Sequence, residues 1–110
     1  MKQETSSQML KGILQGCLLI LLTKKEMYGY KISQELEQYG FQGIPKGTIY
    51  PLLLNMEKKG LITGKMRPSS DGPKRKYYRI SEKGLGEKKI FVSEWQSLAN
   101  SVDQLIKKDK

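Results

Sequence analysis

Histidine is absent from this 110-residue chain, and cysteine occurs once, as Cys17. Without histidine the chain cannot build a Ser–His or Cys–His catalytic pair or the usual imidazole ligands of a zinc site. It also lacks a paired-carboxylate motif, so we expect neither an enzyme nor a bound metal or other cofactor. One cysteine cannot form an internal disulfide, which favours a reducing compartment. Cys17 itself is predicted to be a small core residue.

Long apolar runs are missing as well. The first ten residues lack the apolar region of a signal peptide, and the run from Cys17 to Leu22 is far too short to cross a hydrocarbon layer of about 30 Å. These two absences, together with the single cysteine, predict a soluble cytoplasmic protein without a membrane partner.

Positive charge is what the chain has in excess. It carries 20 Lys and Arg against 11 Asp and Glu, a formal net charge of +9. This balance favours a polyanionic partner, either nucleic acid or an anionic membrane surface, although many basic proteins gain only solubility from it. The length allows one domain with an appended helix.

Helical periodicity predicts three short helices in the first half of the chain. The first runs from Ser6 to Leu22, and its C-terminal half is apolar nearly all round, which indicates burial on more than one side, partly by a second subunit.

The second runs from Tyr28 to Tyr39, with Gly40 as a C-cap. The third runs from Thr48, the predicted N-cap, to Lys59, with Pro51 in its first turn. The last two helices, joined by a short turn, match a helix-turn-helix.

A basic hairpin follows the third helix directly. We predict a strand from Leu61 to Arg67, a loop of turn-forming residues from Pro68 to Pro73, and a return strand from Lys74 to Ile80. Alternation assigns Tyr78 and Ile80 to the core face. The fold class is therefore mainly α with a small β-hairpin (α+β), a winged helix-turn-helix plus a long C-terminal helix. Its predicted partner is double-stranded DNA.

Polar and basic side chains of the third helix and the hairpin are the candidate DNA contacts. They are Lys46, Thr48, Tyr50, Asn55, Lys58, Lys65, Arg67, Lys74, Arg75, Lys76 and Arg79. Asn suits bidentate reading of adenine, whereas Tyr and Lys more often contact phosphate. The alternatives are an ordinary solvated charge run for the hairpin, and packing against the second helix for Tyr50.

The last predicted element is a helix from Ser81, its N-cap, to Lys107, about 40 Å long at about 1.5 Å per residue. Apolar residues follow heptad spacing along it, which predicts a homodimer. We therefore divide the chain into a winged helix-turn-helix DNA-binding domain, residues 1–80, and a C-terminal dimerisation helix, residues 81–110. The predicted interface residues are Leu10, Leu14, Leu18, Phe91, Trp95, Leu98, Val102 and Leu105.

The only tryptophan lies in the middle of this helix. A large residue on a heptad seam is usually an interface anchor. In the alternative, two symmetry-related Trp95 rings flank an apolar cavity and stack on a flat ligand. The candidate ligand-binding residues are then Trp95, Phe91, Met9 and Ile13.

Several strings together resemble the PadR family of bacterial transcriptional regulators. They are Tyr28-Gly29-Tyr30-Lys31-Ile32, Gly47-Thr48-Ile49-Tyr50-Pro51-Leu52-Leu53, Met56-Glu57, Lys59-Gly60-Leu61-Ile62, and Arg75-Lys76-Tyr77-Tyr78-Arg79-Ile80-Ser81 with Gly84. The single C-terminal helix and the segment around Trp95 look like the small, LmrR-like branch. The resemblance implies a homodimeric winged-helix repressor whose N- and C-terminal helices form the dimer interface. It also implies that paired tryptophans at the dimer centre sandwich planar hydrophobic drugs.

The expected function is therefore that of a dimeric repressor on a pseudo-palindromic DNA operator, released by a planar hydrophobic ligand at the dimer interface. The alternative is a winged-helix protein-interaction module that does not bind DNA. A flat salt response in DNA titrations would favour that alternative.

Overall fold

The computed structural model describes residues 7–10 and 12–109. Five helices and three strands follow one another in chain order: α1 (Ser7–Leu10), α2 (Leu14–Lys24), β1 (Met27–Tyr28), α3 (Gly29–Gln38), α4 (Lys46–Lys58), β2 (Ile62–Ser69), β3 (Gly72–Ile80) and α5 (Glu82–Lys108). Within these described ranges, none of the helices has the length and hydropathy that crossing a bilayer requires. The predicted fold class, a winged helix-turn-helix with a long last helix, is confirmed.

The predicted first helix is interrupted. Its predicted start at Ser6 lies outside the described residues, and the remainder forms α1 and α2 with a turn at Gly12 and Ile13. The Ile13 N–H donates to the Leu10 carbonyl at 3.0 Å, which closes that turn. Glycine inside a helix costs about 0.5–1 kcal/mol relative to alanine, so a break beside Gly12 is favoured. As predicted, α2 is buried on more than one side.

Two glycines with positive φ end the helices of the helix-turn-helix. At the end of α3, the Gly40 N–H donates to the Glu37 carbonyl and the Phe41 N–H to the Leu36 carbonyl, both at 3.0 Å. This is a Schellman motif, which needs the left-handed conformation that Gly40 adopts at φ 101°. Gly60, at φ 79°, ends α4 in the same manner. The predicted role of Gly40 in ending the second helix is thus confirmed.

The start of α4 differs from the prediction. The helix begins at Lys46, and the residue that precedes it is Pro45 in an extended conformation, φ −66° and ψ 148°. The Pro45 carbonyl accepts the Thr48 N–H at 2.9 Å, so Thr48 lies in the first turn and is not the cap. As a result Pro51 lies inside the helix, past its first turn. Its missing N–H leaves the Gly47 carbonyl without the usual helical donor.

The hairpin belongs to a three-stranded antiparallel sheet of order β1-β3-β2. The short strand β1, which was not predicted, pairs Met27 with Tyr78. The hairpin strands are longer than predicted, since β2 extends to Ser69 and β3 begins at Gly72. The register shifts between Arg67 and Ser69, around Pro68, a residue that has no N–H to give to a ladder.

One apolar core holds α2, α3, α4 and the sheet together. Tyr78 is buried in it and Ile80 packs against it, which confirms the predicted inward face of β3. Cys17 is only half-buried and is not one of the core residues, because it lies at the edge of a groove described below. The long helix α5 begins on this core and then leaves it, since Gly84 is its one buried residue.

Candidate nucleic-acid interface

The helix α4 shows one apolar and one polar face. Ile49, Leu53 and Met56 are fully buried in the core. The predicted DNA contacts on α4 are exposed: Lys46, Thr48, Tyr50, Asn55 and Lys58. Leu54 is 50% exposed on the same helix and was not among the predicted contacts. It follows that α4 offers a mixed surface of cations, an amide and apolar groups.

Tyr50 is partly packed against α3 and partly exposed on this surface. Its ring lies against Gly29 at the start of α3, where any Cβ would collide with it. The side chain nevertheless remains 40% exposed. Packing against the second predicted helix, the alternative raised from the sequence, is therefore observed, and Gly29 provides the space for it.

The hairpin β2–β3, residues 62–80, is called the wing here. Its outer face carries a stack of cations and rings: the Arg75 guanidinium lies 4.5 Å from the Tyr28 ring centroid, and Arg67 lies 5.5 Å from that of Tyr77. The two tyrosine rings meet edge to face with centroids 5.3 Å apart. Glu26 pairs with Arg67 through both carboxylate oxygens, and the Arg67 Nη2–Glu26 Oε2 distance is 3.1 Å.

The inner face of the wing is tied to α4. Lys76 Nζ donates to Glu57 Oε1 at 2.7 Å. The pKa of Lys76 is raised mainly by this hydrogen bond, so the ammonium form is favoured. Arg67 and Lys76 were both predicted as DNA contacts, and each of them pairs with a carboxylate of the same chain.

The other wing cations are more accessible. Lys65, Lys74 and Arg79 are exposed, and within residues 7–10 and 12–109 no carboxylate pairs with them. Arg75 is half-buried under its contact with Tyr28 and lies 3.6 Å from Asp71. The three exposed cations are thus the wing groups best placed to meet an anion.

The C-terminal helix presents a row of exposed apolar side chains. Trp95 is 45% exposed, Leu98 58% and Leu105 71%, and Val102 is exposed in the same row. Phe91, predicted in the same seam, is half-buried because its ring lies on Gly16 of α2, where a Cβ would collide with it.

The predicted interface and ligand residues of the N-terminal segment differ in how exposed they are. Leu10, Leu14 and Leu18 are covered by the protomer itself, and Leu18 has no exposed surface at all. They therefore leave little or no side-chain surface for a partner. The apolar pattern predicted that these residues are buried, but it did not show whether the same chain or a second chain covers them. Met9 is 72% exposed and Ile13 is half-buried.

An apolar groove that the sequence did not suggest lies between α2 and the end of α3. It encloses about 270 Å³ and is lined mainly by Cys17, Ile20, Leu36 and Phe41. Lys24 Nζ donates to the Tyr39 hydroxyl at its rim, and this hydrogen bond raises the pKa of Lys24. Partial burial raises the pKa of the Cys17 thiol, which favours its protonated form.

Known proteins share this arrangement. A family model described as the transcriptional regulator PadR-like family matches residues 18–89. The crystal structure of a PadR-like transcriptional regulator from Bacillus cereus is 46% identical, with a TM-score of 0.82 over 90% of this chain and 96% of that one. A Streptococcus transcriptional regulator is 44% identical, with a TM-score of 0.81 over 91% and 98% of the two chains. An uncharacterized protein of Lysinibacillus sphaericus is 37% identical over 100 residues, 88% of this chain and 91% of its own. The chain belongs to the PadR-like family of transcriptional regulators and is not an enzyme.

Proposed function

We propose that this regulator is a homodimeric repressor that binds a pseudo-palindromic operator in duplex DNA through α4 and the wing. The observation that carries the proposal is the exposed face of α4, followed directly in the chain by a wing with exposed cations. A helix with a polar outer face enters a major groove, and cations on an adjoining hairpin neutralise backbone phosphates.

The two parts of this surface have different tasks. On α4, Asn55 is the candidate for reading a base edge, since an amide pairs bidentately with adenine, and Lys46 and Lys58 suit phosphates or guanine. Thr48 and Tyr50 add hydroxyl donors near the start of the helix. On the wing, Lys65, Lys74, Arg75 and Arg79 supply sequence-independent affinity.

A second copy of the chain is the partner that α5 needs. This helix has 27 residues, and its apolar seam of Trp95, Leu98, Val102 and Leu105 is exposed in the protomer. A contiguous exposed apolar surface of this kind marks an interaction site, and heptad spacing fits a helix of its own kind. Dimerisation would place two α4 helices on successive major grooves, about 34–36 Å apart.

The seam also supports a ligand site. Trp95 presents a flat ring on an apolar face, and two such rings related by the dimer axis would stack on the two sides of a planar hydrophobic molecule. Phe91, Met9 and Ile13 would line the rest of the cavity. Release from DNA follows if the ligand favours a dimer geometry in which the two α4 helices no longer match the half-sites.

The test is a DNA titration by fluorescence anisotropy at several salt concentrations. We expect the logarithm of affinity to fall with slope about 0.9 for each neutralised phosphate, and Lys74→Gln to reduce the slope by about 1.8 per dimer, because each dimer has two wings. Asn55→Ala should instead reduce discrimination between operator and random DNA by about 1–3 kcal/mol per base pair read. A flat salt response of the wild-type protein would favour a protein-interaction module and contradict the proposal.

A further inference from the structure

Two of the basic side chains of the wing are held by acids from outside it. Glu26, which precedes β1, takes Arg67 on the outer face, and Glu57, in the last turn of α4, takes Lys76 on the inner face. The wing is thus held on both faces by carboxylates of other elements, Glu26 in the segment between α2 and β1, and Glu57 on α4.

The contact between Lys76 and Glu57 passes over a glycine. Lys76 reaches α4 by crossing Gly64 of the neighbouring strand. A Cβ on Gly64 would collide with Lys76 Cε and would lie only 3.0 Å from Glu57 Oε2. The ammonium therefore lies between the sheet and α4, with Nζ 5.4 Å from the Tyr78 ring centroid.

We propose that Glu57 is a positioning residue for DNA binding: through Lys76 it fixes the wing against α4 and withholds that lysine from the phosphates. Glu26 likewise withholds Arg67 from the phosphates, but it holds the wing against the segment before β1 and not against α4. The inference rests on the proposed DNA-binding function and adds to it that the six cations of the wing are not equivalent. The exposed cations bind phosphate. The other two are held in the Lys76–Glu57 and Arg67–Glu26 pairs, called the clamps here, and the Lys76–Glu57 clamp sets the angle between the wing and α4.

The Lys76–Glu57 pair contributes little to folding stability. The side chains of Lys76 and Glu57 are 34% and 30% exposed, and ion pairs near a surface add little to stability because water and salt screen them. A clamp does reduce the freedom that the wing must lose when it docks on DNA. Together, the Lys76–Glu57 and Arg67–Glu26 pairs also withhold two cations that would otherwise bind phosphates of any sequence. This favours discrimination between sequences over total affinity.

The experiment compares the salt dependence of binding to a random-sequence duplex of about 31 bp, three helical turns. Glu57→Gln should free Lys76 and steepen the slope, by about 1.8 per dimer if both freed lysines reach phosphates. Lys76→Gln should leave the slope unchanged, whereas Lys74→Gln should lower it. If Lys76→Gln lowered the slope as much as Lys74→Gln, Lys76 would be an ordinary phosphate contact and the proposal would be wrong.

Two further variants separate the clamp from general electrostatics. Glu37→Gln removes the same charge from α3 without touching the wing, so its slope should stay close to that of the wild type; an effect equal to that of Glu57→Gln would overturn the proposal. Glu57→Lys combined with Lys76→Glu rebuilds the pair with its charges exchanged and should return the slope to the wild-type value. A slope that stayed steep would count against pairing as the cause.

A measurement without DNA distinguishes failure of the clamp from failure of the proposed DNA binding. A wild-type protein with no salt-dependent DNA binding would refute the function itself. Amide hydrogen exchange in the free protein tests the clamp directly: the β2 and β3 amides should exchange faster in Glu57→Gln than in Glu37→Gln. Equal exchange in the two variants would show that Glu57 does not position the wing.

Discussion

Two glycines in the first turns of α5 differ only in their surroundings, and replacing each with alanine should have opposite effects. A Cβ on Gly84 would collide with the Leu61 carbonyl oxygen and lie 2.8 Å from Ile80 Cγ1. A Cβ on Gly86 would meet nothing within 4 Å. Gly84→Ala therefore tests the close approach that seats α5 against Leu61 and the end of β3, and Gly86→Ala is its matched control.

The magnitudes follow from two competing terms. Alanine is favoured over glycine inside a helix by about 0.8–1 kcal/mol, and both variants gain this. Only Gly84→Ala adds overpacking, which costs about 1–3 kcal/mol and here falls on a backbone atom that cannot rotate away. We expect Gly86→Ala to stabilise the protein by up to about 1 kcal/mol. Gly84→Ala should destabilise it by about 1–2 kcal/mol, the upper part of the overpacking range less the helix gain.

Urea unfolding followed by circular dichroism measures the difference. Both variants and the wild type are compared at one protomer concentration, because the stability of the proposed dimer would depend on concentration. Thermal midpoints should separate in the same order, by about 4–8 °C per kcal/mol for a domain near this size. If Gly84→Ala were as stable as Gly86→Ala, the contact between α5 and Leu61 would not exist as described.

Three further predictions concern α5. Ser81 Oγ accepts the Gly84 N–H at 3.0 Å and donates to the Gly60 carbonyl at 2.6 Å. Ser81→Ala should therefore cost about 1 kcal/mol in urea unfolding, and no loss would contradict the cap. Leu98→Asp should shift the protein from dimer to monomer in sedimentation equilibrium, while Gln96→Asp on the same helix should not. If both variants remained dimeric, the interface would lie elsewhere. A planar cationic dye should quench the Trp95 fluorescence, and the absence of quenching at high micromolar dye would leave Trp95 as a packing residue only.

Local features of the fold were predictable because their causes are local. Gly40 and Ser81 act on backbone groups within a few residues, so the sequence alone indicates where α3 ends and α5 begins. Alternation along β3 likewise identified the inward side of Tyr78. The exposed face of α4 followed from helical spacing, even though its start was placed two residues too late. Pro45, and not a polar side chain, precedes the first turn.

The pairing of charges was not predictable in this way. Arg67 and Glu26 are 41 positions apart, and Lys76 and Glu57 are 19 apart, so each pair depends on how the wing lies against the body. From the sequence, all six basic wing residues are equivalent. The strand β1 was missed because two residues cannot show a period, and its pairing with β3 depends on tertiary structure.

Footprinting on a selected operator shows directly whether this regulator reads DNA as a homodimer. Duplexes enriched by the wild-type protein from a random library should contain a pseudo-palindrome, and hydroxyl-radical cleavage should show two protected half-sites whose centres are about 10–10.5 bp apart. This spacing is what one α4 from each protomer of a dimer would produce. Failure to enrich any sequence, or protection of one isolated half-site by a single chain, would contradict the claim that this regulator reads DNA as a homodimer.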